Sequence, residues 1–155
     1  MNLPDPTEPY TVLYIDDDQD DHLAFQEAVQ EACPGAGITS LFSTDDALAF
    51  IRDRKPDIVF VDLDMPGKGG LKCILEIRQA EDCKQVPVIV YSSTSRHSNI
   101  QAAYEIGANL FVTKPESFPQ LKRILHAVFQ LDWSRPEAIT EQHQSNFYYR
   151  AFNLE

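Results

Sequence analysis

Residues 57–62 read Asp57-Ile58-Val59-Phe60-Val61-Asp62, four consecutive apolar residues between two acids. A run this short and this rich in Val, Ile and Phe is strand-like. Being apolar at every position rather than at alternate ones, it belongs to a strand covered on both faces, as in parallel sheets with helices on either side. Asp62 closes the run in a place where a charge needs a partner. A loop with Pro66, Gly67, Gly69 and Gly70 follows it.

Four other segments read as strands: Tyr10 to Ile15 (YTVLYI), Ile38 to Phe42, Pro87 to Tyr91 (PVIVY) and Asn109 to Thr113 (NLFVT). Helical spacing fills the gaps. Asp20 or Asp21 is expected to cap a helix that runs to about Ala32, with Leu23, Ala24, Ala28 and Val29 on its buried face, before Pro34-Gly35-Ala36-Gly37 breaks it. Ser43 or Thr44 can cap the next helix, with Asp45 and Asp46 in its first turn, where the helix dipole favours negative charge. Further helices are expected from about Leu71 to Ala80, Ser98 to Ile106 and Phe118 to Leu131. Five strands alternating with five helices predict one α/β unit, a doubly wound parallel sheet with helices on both faces.

In such sheets functional residues collect past the carboxyl ends of the strands. Here those positions hold Asp16 and Asp17, then Asp62, then Ser92, then Lys114. Clustered carboxylates repel one another, and a hard divalent cation with oxygen ligands relieves the repulsion. Asp17 and Asp62 are expected as direct ligands, Asp16 through a water, and a backbone carbonyl near Asp64 as a further one. A carboxylate beside such a cation is a competent nucleophile toward phosphorus. Lys114 and the Ser92 hydroxyl can neutralise and hold the phosphoryl oxygens.

The chain has 155 residues, 43% hydrophobic, enough for one core, and a formal net charge of −11. That charge repels a phosphate backbone and argues against direct DNA binding. No stretch approaches 18 apolar residues, so no membrane span is expected, and Met1 to Tyr10 is no signal peptide. Cys33, Cys73 and Cys83 form no CxxC pair, which favours a reduced, cytoplasmic setting.

With these residues in place, the sequence resembles the receiver domains of bacterial response regulators, notably the single-domain, chemotaxis-type members. The strings VLYIDDD, IVFVDLDMPGKGG, VPVIVYSST and GANLFVTKP carry the resemblance, and the intervals of 45 residues from Asp17 to Asp62, 30 from Asp62 to Ser92 and 52 from Asp62 to Lys114 look like the family's. It covers about Tyr10 to Leu131. It implies a flavodoxin-like five-stranded sheet of order 2-1-3-4-5. Asp62 then looks like the phosphoacceptor, Asp16 and Asp17 the acidic pair, Ser92 the switch hydroxyl, Phe111 the switch aromatic and Lys114 the family's lysine, with Lys114–Pro115 expected to be cis. The implied cofactor is Mg²⁺, with Mn²⁺ as a substitute. The implied partners are a sensor histidine kinase or histidine phosphotransfer protein, a downstream protein target, and a second copy in a phosphorylation-dependent dimer. No turnover is expected beyond self-phosphorylation and self-dephosphorylation.

A haloacid-dehalogenase-type phosphatase, which also uses an aspartyl phosphate, is the alternative suggested by Asp62-Leu63-Asp64. The segment after Lys114 lacks the further Gly-Asp motif of such enzymes. The organisation reads as an extension over 1–9, a receiver domain over 10–131 and a tail over 132–155 with no separate output domain. Trp133, Phe147, Tyr148, Tyr149 and Phe152 in that tail are expected to pack on the domain or on a partner.

Overall fold

The computed structural model describes residues 10–65, 67–94, 96–145, 148–149 and 151–152. The elements alternate as β1 (Thr11–Ile15), α1 (Gln19–Ala32), β2 (Gly37–Leu41), α2 (Ala47–Arg54), β3 (Ile58–Val61), α3 (Gly70–Gln79), β4 (Val88–Ser92), α4 (His97–Glu105), β5 (Leu110–Thr113) and α5 (Phe118–Phe129). The five strands form one sheet of order β2-β1-β3-β4-β5, every pair parallel, as expected of a doubly wound, flavodoxin-like sheet.

Strand side chains alternate between faces, and here both faces are apolar. Leu13, Ile15, Val59, Val61, Val88, Val90 and Phe111 pack against α2, α3 and α4. Val12, Tyr14, Ile58, Phe60, Ile89, Tyr91, Leu110 and Val112 pack against α1 and α5. This two-sided burial explains why residues 58–61 are apolar without interruption. Burial of each large side chain contributes about 1.5–3 kcal/mol, so the central strands are the most strongly held part of the molecule.

Helix starts depart from the sequence reading. Asp18, not Asp20 or Asp21, caps α1, its side chain accepting from the Asp21 N–H at 3.1 Å. Neither Ser43 nor Thr44 caps α2, which begins after Asp46 without a side-chain cap. The Thr44 hydroxyl donates instead to the Lys68 carbonyl at 2.7 Å, a tertiary bond that outcompetes the local one. No peptide bond among the described residues is cis. Lys114–Pro115 is therefore trans, which corrects the expectation, and the Xaa–Pro amide itself prefers trans by about 0.5–1 kcal/mol.

Beyond α5 the chain forms α6 (Pro136–Gln142) and an antiparallel pair, β6 (Gln144–Ser145) with β7 (Tyr148–Tyr149), none of which the periodicity predicts. Ile139 of α6 is buried, and the Trp133 indole N–H donates to the Val128 carbonyl at 2.8 Å. Trp133 and Phe152 pack against the α1–α5 side of the core. Phe147 and the side chains of Tyr148 and Tyr149 lie outside the described residues.

Candidate functional site

Register brings the site together. Ile15 pairs with Val61, so Asp16 and Asp62 leave adjacent strands side by side, with the Asp62 N–H donating to the Ile15 carbonyl at 2.9 Å. Ser92 pairs with Thr113, and the Lys114 N–H donates to the Ser92 carbonyl at 2.8 Å. Five residues from four strand ends thus meet on one edge. Gly70 sets the return of the loop: a Cβ there would lie 2.2 Å from the Asp62 carbonyl oxygen. Only glycine permits that approach.

Carboxylate oxygens of Asp16, Asp17 and Asp62 lie within 4.8 Å of one another. Asp16 is wholly buried, Asp62 is 4% exposed and Asp17 faces solvent. The Lys114 ammonium sits 2.8 Å from Asp16 Oδ2, 2.7 Å from Asp21 Oδ2 and 3.5 Å from Asp62 Oδ2. The buried Ser92 hydroxyl reaches Asp64 Oδ2 at 3.4 Å, and the Asp64 N–H reaches Asp62 Oδ1 at 3.4 Å. The Asp64 side chain is exposed and stands outside the carboxylate triad. Phe111 is fully buried on the α4 side, its N–H donating to the Tyr104 hydroxyl at 3.0 Å.

Two opposing influences act on Asp62. Burial raises its pKa and the Asp16 charge raises it further, while the Lys114 charge, the Asp64 N–H and the Ser92 hydroxyl lower it; the net direction is upward. For Lys114, burial alone would lower the pKa, but hydrogen bonds to Asp16 and Asp21 and the charges of Asp62 and Asp16 raise it overall. The two results pull apart, since an ion pair at 3.5 Å should depress Asp62. The geometry accounts for this: Lys114 is bound more closely to Asp16 and Asp21, so Asp62 receives only part of its compensation.

The site is therefore short of positive charge. Three carboxylates with one shared ammonium are a donor set that fits a hard divalent cation. The structure brings Asp16, Asp17, Asp62, Ser92 and Lys114 together and places Phe111 behind them.

Sequence reasoning missed other members. Asp21, read as a possible cap, pairs with Lys114; its place in the first turn of the helix that follows the acidic pair was the available signal. The Tyr14 hydroxyl donates to Asp16 Oδ2 from inside the core. His22 Nε2 meets the Asp16 carbonyl at 2.6 Å and so carries its proton there. Lys114 also stands over the Tyr91 ring, 5.7 Å from its centroid.

Residues 12–126 match the model of the response regulator receiver domain. The chain belongs to this family. It is 24% identical over 127 residues to the response regulator Rcp1 of Synechocystis, a match covering 77% of this chain and 86% of Rcp1. It is 30% identical over 122 residues to the phosphate regulon regulator PhoB of Pseudomonas aeruginosa, covering 77% of this chain but 52% of PhoB. The chain thus spans most of the first relative and about half of the second. Among solved structures, response regulator RPA3017 of R. palustris, from red light signaling, matches with TM-score 0.72 at 27% identity over 77% of this chain and 91% of that one. A Mn²⁺-bound form of Rcp1 matches in fold, with TM-score 0.68 at 24% identity over 77% of this chain and 91% of that chain. This membership leaves the phosphatase alternative without support.

Proposed function

We propose that this receiver accepts a phosphoryl group on Asp62 from a sensor histidine kinase or histidine phosphotransfer protein, and that the modification alters a surface read by a downstream protein. The observation that carries the reading is the placement of Asp62. It is a nearly buried carboxylate with a raised pKa, beside two further acids and 3.5 Å from an ammonium held by other groups. Such a group is costly to maintain unless it has chemistry to do.

An Asp62 oxygen forms the bond to phosphorus while the bond from phosphorus to the donor's imidazole nitrogen breaks, and the donor histidine leaves with that electron pair. Lys114 lies where it can neutralise one phosphoryl oxygen, and Ser92 can donate to another. Asp17 and Asp62 would hold Mg²⁺ or Mn²⁺ directly, with Asp16 acting through a water and the Asp64 backbone carbonyl as a further ligand. The cation supplies charge neutralisation. Hydrolysis returns the Asp62 carboxylate and releases inorganic phosphate, so no external substrate is turned over. Ser92 and Phe111 would carry the change toward α4, β5 and α5. The formal charge of −11 disfavours direct DNA binding and favours protein partners, among them a second copy on phosphorylation. Among the described residues no helix is long and apolar enough to cross a membrane; action in the cytoplasm, where histidine kinases present their phosphoryl groups, is part of this reading.

Incubation with acetyl phosphate and Mg²⁺ tests it by intact mass. One phosphoryl mass should appear on the wild type and not on Asp62→Asn. Equal labelling of both moves the acceptor elsewhere.

A further inference from the structure

β5 is the last strand of the sheet and leaves a free edge between α4 and α5. Outward N–H and C=O groups on such an edge are a template for another extended segment. Two adjacent residues of the C-terminal region meet it. The Phe152 N–H donates to the Phe111 carbonyl at 2.6 Å. Ala151 packs against the layer that holds Phe111, Ile100 and Tyr104. Phe152 packs against the opposite layer, with Leu110, Leu121 and Leu125. Successive residues falling on opposite faces of a sheet mark an extended segment laid along its edge.

Both main-chain groups of Phe111 are thus held from outside the sheet. Its N–H goes to Tyr104 of α4 and its C=O to Phe152. The approach to the edge is anchored as well. Thr140 Oγ1 lies 3.3 Å from both the side-chain amide and the carbonyl of Asn109, just before β5. The His143 ring lies 5.7 Å from that of Phe152, and the β7 backbone lies against α4.

We propose that the free edge of β5 is a docking site for an extended peptide segment, that this chain fills it in cis with Ala151 and Phe152, and that phosphorylation of Asp62 releases the segment through Phe111. The inference rests on the function proposed above. Phe111 stands on β5, three residues before Lys114, which follows the strand's end, and pairs with Val90, two residues before Ser92. A shift of β5 or of the Phe111 ring toward the site withdraws what Ala151 packs on and disturbs the bond to Phe152. A face covered in this way is closed to a downstream protein until the segment leaves.

Linkage makes the test quantitative, because the factor by which the phosphoryl group weakens docking is the factor by which docking weakens phosphoryl binding. Beryllofluoride with Mg²⁺ serves as the probe, followed by isotope-edited NMR. In the full chain it should speed exchange of the Phe152 amide by on the order of 5- to 10-fold, within the usual range of such couplings. A chain ending at Gln142 should bind beryllofluoride more tightly by the same factor. A synthetic peptide of residues 143–155 should return the affinity to the wild-type value. Phe152→Pro, which removes both the donating N–H and the packed phenyl ring but keeps the rest of the chain, serves where truncation impairs folding, and should move affinity in the same direction. Equal affinity in all variants, or an unchanged Phe152 amide in a chain that binds the probe, overturns the inference and leaves the Asp62 assignment standing. A wild type that neither binds the probe nor is labelled by acetyl phosphate overturns both.

Discussion

Neutralising Asp62 should stabilise the metal-free protein. The competing contributions can be sized from the structure. Lys114 Nζ attracts Asp62 Oδ2 across 3.5 Å, worth about 5 kcal/mol gross at an effective dielectric of about 20. Asp16 lies within 4.8 Å, and a like charge at that distance repels by about 3.5 kcal/mol or more on the same scale. Asp17 adds repulsion, weakened by solvent. The desolvation of a carboxylate that is 4% exposed then tips the balance against the charge. Asp62→Asn does not strand Lys114, which keeps Asp16 and Asp21, so the usual cost of orphaning a buried ion is avoided. The net expectation is a gain of about 1–2 kcal/mol, or roughly 2–4 °C in Tm per kcal/mol for a chain of this size. The assay is thermal unfolding in EDTA at pH 7, with a pH series. The folded pKa of Asp62 is raised, so the wild type binds more protons folded than unfolded between about pH 4 and that value. Its stability falls as pH rises through this window and is level above it. The advantage of the Asn variant should therefore grow as pH rises through this window and shrink as the solution is acidified. Saturating Mg²⁺ or Mn²⁺ should reverse the order, because a ligand at about 100-fold over its Kd adds about 2.7 kcal/mol to the wild type alone. A variant less stable than wild type in EDTA at pH 7 would refute the reasoning and show that Lys114 dominates.

Gly70→Ala places a Cβ 2.2 Å from the Asp62 carbonyl oxygen and 2.9 Å from the Leu63 Cα; both obstacles are backbone, so a loss of about 3 kcal/mol, the upper end of overpacking costs, is expected in urea unfolding. Tyr14→Phe removes a buried donor to Asp16 and should cost about 1.5–3 kcal/mol, the range for bonds to charged groups. Asp21→Asn breaks a pair whose acid side chain is 39% exposed, so stability should change by less than about 1 kcal/mol. The same variant frees Lys114 toward Asp62, and acetyl phosphate labelling should accelerate several-fold; an unchanged rate would remove Asp21 from the site. Phe111→Ala opens a cavity at a fully buried ring and should cost about 3–5 kcal/mol in the same unfolding assay.

The sheet and most of the candidate site were legible from the sequence because both rest on local physics. Unbroken apolar runs such as 58–61 are what two-sided burial demands, and the carboxyl ends of such strands converge whatever lies between them. Asp16, Asp17, Asp62, Ser92 and Lys114 could therefore be named before any distance was known. What only the tertiary structure decided depends on competition between distant groups. Lys114 divides itself among Asp16, Asp21 and Asp62, and the Asp21 contact spans 93 residues. Thr44 leaves its helix uncapped to reach Lys68, and Tyr14 aims a hydroxyl from an apolar strand at Asp16. Ala151 and Phe152 lie against β5 because its edge and two apolar layers meet there. No periodicity within residues 132–155 encodes that edge; its position is set by the spatial order β2-β1-β3-β4-β5, which leaves β5 at one end of the sheet.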